Sequence, residues 1–240
     1  MAVLAIAVVL IIVLTGGGGS GGGPTVSSSD MQGLPATGSQ TWAGALQGAS
    51  EANGLFKGIP QSGLVLGDPK APVTMEMFID VQCSVCDNYE ISHLPAVVQQ
   101  YIRNGKVQLH LKPWSIFGGQ SLTGRLGVIA AAKQNKGFEY AKVLYDNQGA
   151  EESGWLTGRE MAEIAASVDG LDLARWRADV NSAASEATAK AVDKLATQKK
   201  LTGTPSILVG PTNGQLQIAS GSSYDPAGVI QALNAAIAGT

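Results

Sequence analysis

Hydrophobic and polar positions change period several times along this chain, and each change marks an element. Pro72 to Asp80 reads Pro-Val-Thr-Met-Glu-Met-Phe-Ile-Asp, a run of β-formers that predicts a strand. Beyond Asp87 the apolar residues Leu94, Val97, Val98, Tyr101 and Ile102 recur at helical spacing. They predict a helix from Cys83 to about Asn104, kinked at Pro95 and stopped by Asn-Gly. A short strand or hairpin is expected between Gly58 and Asp68, and a further strand at Val107 to Lys112. From Ser121 to Lys200 the pattern is helical: Leu126 to Gln134, Phe138 to Asn147, Leu156 to Val168, Leu171 to Asn181 and Ala183 to Lys199. Thr157-x-x-Glu160 is a capping box for the third of these, and Asp169-Gly170 ends it. Strand character returns at Ser206 to Val209 and Gln215 to Ala219, around a Gly-Pro-Thr-Asn-Gly turn. Asp225-Pro226 then opens a last helix with Val229, Ile230, Leu233 and Ile237 on one face. The order is β, α, β, five helices, β, β, α, an α/β domain with a helical insertion over about residues 118–200.

The N-terminal quarter follows neither period. Met1 to Leu14 is almost wholly apolar, and as a helix it would rise only about 21 Å against a hydrocarbon core of ~30 Å. It has no basic n-region and no small-residue cleavage signal, so residues 1–15 are expected to be a signal-anchor whose basic flank is missing from this chain, with a cleaved export segment or a buried core strand or helix as the alternatives. Residues 16–57 are rich in Gly, Ser, Thr and Ala and predict a flexible tether, with a short helical piece near Trp42 to Glu51. A net charge of −3 and the absence of a basic run argue against a nucleic-acid partner. The folded part, residues 58–240, is expected outside the cytoplasmic membrane, held by a single N-terminal anchor.

Only two cysteines occur, in Cys83-Ser84-Val85-Cys86, where the strand gives way to the helix. Unpaired N–H groups and the positive end of the helix dipole favour a thiolate at Cys83, and one helical turn brings the two sulfurs within bridging range. Lowering a thiol pKa by about two units requires roughly 2.7 kcal/mol, of which a helix end supplies ~0.3 to 2. Other donors must provide the rest, and Ser84-Val85 offers one hydroxyl and no cation. Zinc is disfavoured, because His93 and His110 repeat no ligand spacing, and no metal site is expected. A static disulfide across so short a loop would remove little chain entropy. A pair of inert buried thiols is the remaining alternative, and a redox dithiol that needs no cofactor beyond its own Cys83-Cys86 disulfide accounts best for the position.

The element order is that of a thioredoxin-like fold with a large helical insertion. Gly67-Asp68-Pro69-Lys70-Ala71-Pro72-Val73, Phe78-Ile79-Asp80-Val81-Gln82-Cys83-Ser84-Val85-Cys86 and Leu201-Thr202-Gly203-Thr204-Pro205-Ser206 together resemble the DsbA-like family of extracytoplasmic thiol-disulfide oxidoreductases, in the branch with an N-terminal membrane segment. The resemblance covers about Gly58 to Thr240. It implies that Cys83 is the exposed nucleophile, Cys86 its shielded partner, and Thr204-Pro205 a cis-proline loop whose main chain pairs with substrate peptides. Glu90, one helical turn beyond Cys86, matches an acidic position that in some members influences the buried thiol; a solvated helix charge is the competing reading. Asp80 also matches, without a defined role. The partners implied are protein or peptide thiols and a quinone-linked membrane oxidase.

Two features depart from the family pattern. Ser84-Val85 replaces the frequent Pro-His or Pro-Tyr, and Met77 stands where an acidic residue is often found six before the first cysteine. The dipeptide tunes the redox potential, so oxidising strength does not follow from the motif. A dithiol oxidase is expected, against a reductase or isomerase of the same fold and against a non-catalytic peptide-binding module.

Overall fold

The computed structural model describes residues 25–220 and 225–240; the expected anchor segment, 1–15, lies outside them. Six strands form one sheet in the order β1-β2-β4-β3-β5-β6. The central β3 (Val73–Ile79) is buried along its whole length, as its sequence, rich in β-formers and broken only by Glu76, leads one to expect. It pairs in parallel with β4 (Val107–Pro113) and antiparallel with β5 (Ser206–Pro211). The predicted entry hairpin is β1 (Gln61–Ser62) and β2 (Val65–Leu66), with β2 antiparallel to β4. β6 (Gln217–Ser220) closes the other side, antiparallel to β5.

The crossover from β3 to β4 is helical but not one helix. α2 (Ser84–Ser92) ends at His93, α3 (Leu94–Val97) restarts with Pro95 in its first turn, and a π-helical turn follows at Val98–Ile102. Pro95 has no N–H to continue the ladder, so the break falls where the sequence placed its kink. Five helices then precede β5: α4 (Gly119–Ala132), α5 (Gly137–Asp146), α6 (Gly158–Ala166), α7 (Leu173–Val180) and α8 (Ala183–Gln198). The Thr157 hydroxyl caps α6 by accepting the Glu160 N–H at 3.1 Å. Gly127 of α4 lets the insertion close up, because a Cβ there would strike the buried Tyr140 hydroxyl. The final helix, α9 (Pro226–Ala238), is capped by Asp225 and buries Val229 and Leu233.

The tether expectation for residues 16–57 fails over the part described. Val26 is buried, and α1 (Ala49–Phe56) buries Ala52, Leu55 and Phe56, whose ring lies 5.8 Å from that of Phe138 on α5. Main-chain hydrogen bonds from Gly38 to Leu171 and from Leu173 to Ala36 hold the segment before α1 against the insertion. Gly-rich composition concealed a segment whose few apolar residues dock on a partner distant in sequence. The helix also begins later than Trp42, after Gly48, which takes φ +76 and has the Asp146 carboxylate where a side chain would begin.

Candidate active site

The chain leaves β3 at Ile79 and turns through Asp80, Val81 and Gln82 to Cys83, the N-cap of α2. Asp80 builds this turn. Its buried carboxylate accepts hydrogen bonds from Gln82 N (2.9 Å), Ser121 Oγ (2.5 Å), Ile116 N (2.6 Å) and Phe117 N (3.1 Å). Its main-chain carbonyl accepts from Cys83 N at 3.0 Å and from the Tyr145 hydroxyl at 2.9 Å. One residue thereby ties the end of β3, the start of the insertion and α5 to the cysteine turn.

Both cysteines are free thiols. Cys83 takes the extended backbone of an N-cap, φ −72 and ψ 117, and its Sγ accepts the Cys86 N–H at 3.3 Å. The Thr204 carbonyl, in the loop before β5, accepts the Cys83 S–H at 3.4 Å. The Thr204-Pro205 peptide bond is cis, and the Thr204 hydroxyl is buried with no partner other than the sulfurs it faces. Ser84 and Val85 form the outer rim, with Val85 39% exposed.

These surroundings push the two thiols apart. Hydrogen bonding from Cys86, against the opposing cost of burial and with help from Thr204 and main-chain N–H groups, brings the Cys83 pKa down from 9.0 to about 6. Burial, then the proximity of Cys83, raises Cys86 well above its ordinary value. The missing stabilisation that Ser84-Val85 could not provide comes from the second thiol and from Thr204, both supplied by folding. Cys83 is not the openly exposed nucleophile that the resemblance implies: it is 3% exposed and Cys86 0%. The Thr204 loop lies on one side, and the loop after α5 reaches the other.

Glu90 is not a solvated charge. It is 2% exposed, one turn below Cys86, and burial raises its pKa from 4.5 to about 8, with Lys142 opposing and Asp146 and Asp87 reinforcing the rise. Lys142 is itself 0% exposed and bridges Asp146 (2.6 Å) and Glu51 of α1 (3.4 Å). Tyr145, on the same helix, is buried among Cys86, Glu90, Asp80 and Cys83. Sequence reasoning missed Tyr145, Lys142, Gln82 and Ser121; only Lys142 left a trace, as the one cation in the largely apolar run Phe138 to Tyr145. Glu76, one residue from the missing acidic position, forms salt bridges with Lys112 and Lys199, at 3.6 and 3.1 Å. Among the described residues no group of three or more His, Cys, Asp or Glu side chains is placed to hold a metal.

Comparison with known proteins agrees with this arrangement. A family described as "Thioredoxin" matches residues 60–220. A relative named "Probable disulfide bond formation protein D" from Bacillus cereus is 30% identical over 155 residues, covering 63% of this chain and 70% of its own. The structure is similar to that of oxidised BdbD from Bacillus subtilis, with a TM-score of 0.64 at 18% identity over 74% of this chain and 94% of the other. It is also similar to α-DsbA1 from Wolbachia pipientis, with a TM-score of 0.63 at 17% identity over 78% and 96%. The chain belongs to the thioredoxin family and, within it, to the DsbA-like thiol-disulfide oxidoreductases.

Proposed function

We propose that this protein is a dithiol oxidase that passes a Cys83-Cys86 disulfide to protein thiols outside the cytoplasmic membrane. One observation carries the direction: Cys83 Sγ sits at the N-cap of α2 and accepts the Cys86 N–H, surroundings that favour the thiolate and bring its pKa down to about 6. A thiolate stabilised in the dithiol has no counterpart in the disulfide, so the environment biases the couple toward reduction of the bridge, the direction that an oxidase needs. At pH 7 a displacement from 9.0 to about 6 contributes about 1.4 kcal/mol, or ~30 mV for a two-electron couple, and water reaching the sulfur trims it. The names of the curated relatives, disulfide bond formation proteins, support the same direction.

The steps follow from the two pKa directions. A substrate thiolate attacks Cys83 Sγ, the Cys83-Cys86 bond breaks, and its electron pair goes to Cys86, whose raised pKa makes it take a proton. Glu90, protonated at neutral pH and one turn away, is placed to donate that proton and to be replenished from the Lys142, Asp146 and Glu51 cluster, which extends to the surface. A second substrate thiolate attacks the substrate sulfur of the mixed disulfide, and Cys83 departs as the thiolate its surroundings stabilise. Until then the Thr204 carbonyl has no S–H to accept and is available to a substrate main-chain N–H. Reoxidation by a quinone-linked membrane partner and tethering by residues 1–15 belong to this proposal, supported by the apolar N-terminal segment.

Trapping with Cys86→Ala in cells tests the reading: covalent adducts on Cys83 should accumulate and contain exported proteins. The equilibrium constant against glutathione tests the direction. A potential near that of cytosolic reductants would assign the protein to the reductases instead.

A further inference from the structure

The loop between α5 and α6 covers the cysteine motif through hydrogen bonds that all end on the Val81 to Ser84 segment. Gln148 Nε2 donates to the carbonyls of Val81 (3.0 Å) and Cys83 (3.5 Å). The main-chain N–H of Glu152 donates to Gln82 Oε1 at 3.1 Å. The Glu151 carboxylate accepts the Ser84 N–H at 2.8 Å, at the first turn of α2. The far end of the loop is anchored by Trp155, which packs on the core and against Gly149, where a Cβ would fall 2.6 Å from the indole. Between these anchors Ala150 to Gly154 are exposed, and Glu152 and Gly154 take φ of +53 and +86.

Two facts then conflict with free access to the nucleophile. Disulfide exchange needs another sulfur to reach Cys83 Sγ, yet that residue is 3% exposed. Glu151 also places a negative charge on the same helix end whose N–H groups favour the Cys83 thiolate. A hydrogen bond from Ser84 N–H to a carboxylate is worth more than one to a neutral oxygen, so the charge that disfavours the thiolate also secures the loop.

We propose that Glu151 is a positioning residue that latches the loop Asn147 to Trp155 over Cys83, restricting bulky protein thiols and holding back Cys83 ionisation. The proposal rests on reading Cys83 as the attacked sulfur. It assigns a selective role to the helical insertion: a partner must displace the latch before exchange. Besides Glu151, the ionisable groups around Cys83 are Cys86 of α2 with Glu90 one turn below it, Asp80 of the preceding turn, Tyr145 of α5 and the neighbouring Glu152.

Three variants of the full chain separate the latch from the charge. Glu151→Gln keeps an acceptor oxygen and removes the charge, Glu151→Ala removes both, and Glu152→Gln removes a neighbouring charge that holds no hydrogen bond to α2. The readouts are the pH profile of Cys83 alkylation by iodoacetamide and the ratio of rates for a polymer-linked maleimide and its small analogue, with reduced protein. Glu151→Gln should lower the alkylation midpoint by about half a pH unit, about threefold in thiolate fraction, and raise the large-to-small ratio by less than Glu151→Ala does, since a neutral acceptor holds the Ser84 N–H more weakly. Glu151→Ala should lower the midpoint and raise the large-to-small ratio several-fold, while Glu152→Gln should change neither. An unmoved midpoint in Glu151→Gln, an unchanged ratio in Glu151→Ala, or an equal effect from Glu152→Gln would overturn the assignment. Circular dichroism identifies any unfolded variant, and Glu151→Gln, an isosteric surface change, carries the midpoint test by itself. Both readouts are chemical modification rates, so failure of the oxidase reading would show separately, in the glutathione equilibrium.

Discussion

Replacing Glu90 by Gln tests whether a buried carboxyl group lies under the cysteine pair. A carboxyl whose folded-state pKa lies above its unfolded one takes up a proton on folding. Its contribution to stability is therefore present at and below pH 4.5, the unfolded value, and is lost as the pH rises toward about 8. Integrated to pH 7, the displacement from 4.5 to about 8 costs about 3 kcal/mol relative to acid conditions, a large fraction of the 5 to 15 kcal/mol typical of a domain. Gln keeps the shape and cannot ionise. Its amide hydrogens need partners and shift the whole curve by about 1 to 3 kcal/mol, without dependence on pH. The assay is urea unfolding of the reduced protein in steps from pH 4.5 to 8, with the stability difference between variant and wild type plotted against pH. That difference should move by about 3 kcal/mol in favour of Glu90→Gln between pH 4.5 and 7. A flat difference would refute the argument, since it would mean that Glu90 ionises alike in both states and is not sealed beneath Cys86.

Three further changes probe other parts of the site. Cys86→Ala removes the largest source of Cys83 acidity, so the thiolate absorbance at 240 nm should titrate about one unit higher than in wild type; a midpoint still near pH 6 would show that the helix end and Thr204 suffice. Asp80→Asn sets an amide against four donors at the turn and should cost about 2 to 4 kcal/mol in urea unfolding; a loss below about 1 kcal/mol would mean that the turn is held by other contacts. Gly127→Ala forces a methyl group against the Tyr140 hydroxyl and to 3.1 Å from Met161 Cε, and should lower the melting temperature by overpacking worth about 1 to 3 kcal/mol; an unchanged melting temperature would show that Tyr140 can move aside.

What the sequence by itself determined was local. The β-former run of β3, the break at Pro95, the Thr157 and Asp225 caps and the site of Cys83 at a helix start all depend on residues within a few positions of one another. Periodicity, capping and turn chemistry are short-range, so they are legible in order along the chain. Tertiary structure decided everything that depends on residues distant in sequence. Thr204 lies 121 positions from Cys83, yet its carbonyl meets the nucleophile's sulfur. Ser121 and Asp80 are 41 apart and share a 2.5 Å hydrogen bond, and Glu151 reaches Ser84 across 67 positions. Glu90 looks like any acidic helix residue until α5 packs against α2 and brings Lys142 and Asp146 near it, since burial, and with it the shift of a pKa, depends on neighbours that no local pattern names. The segment from Thr25 to Lys57 followed the same rule: its composition suggested a tether, and it became part of the core because a few apolar side chains found a surface to cover.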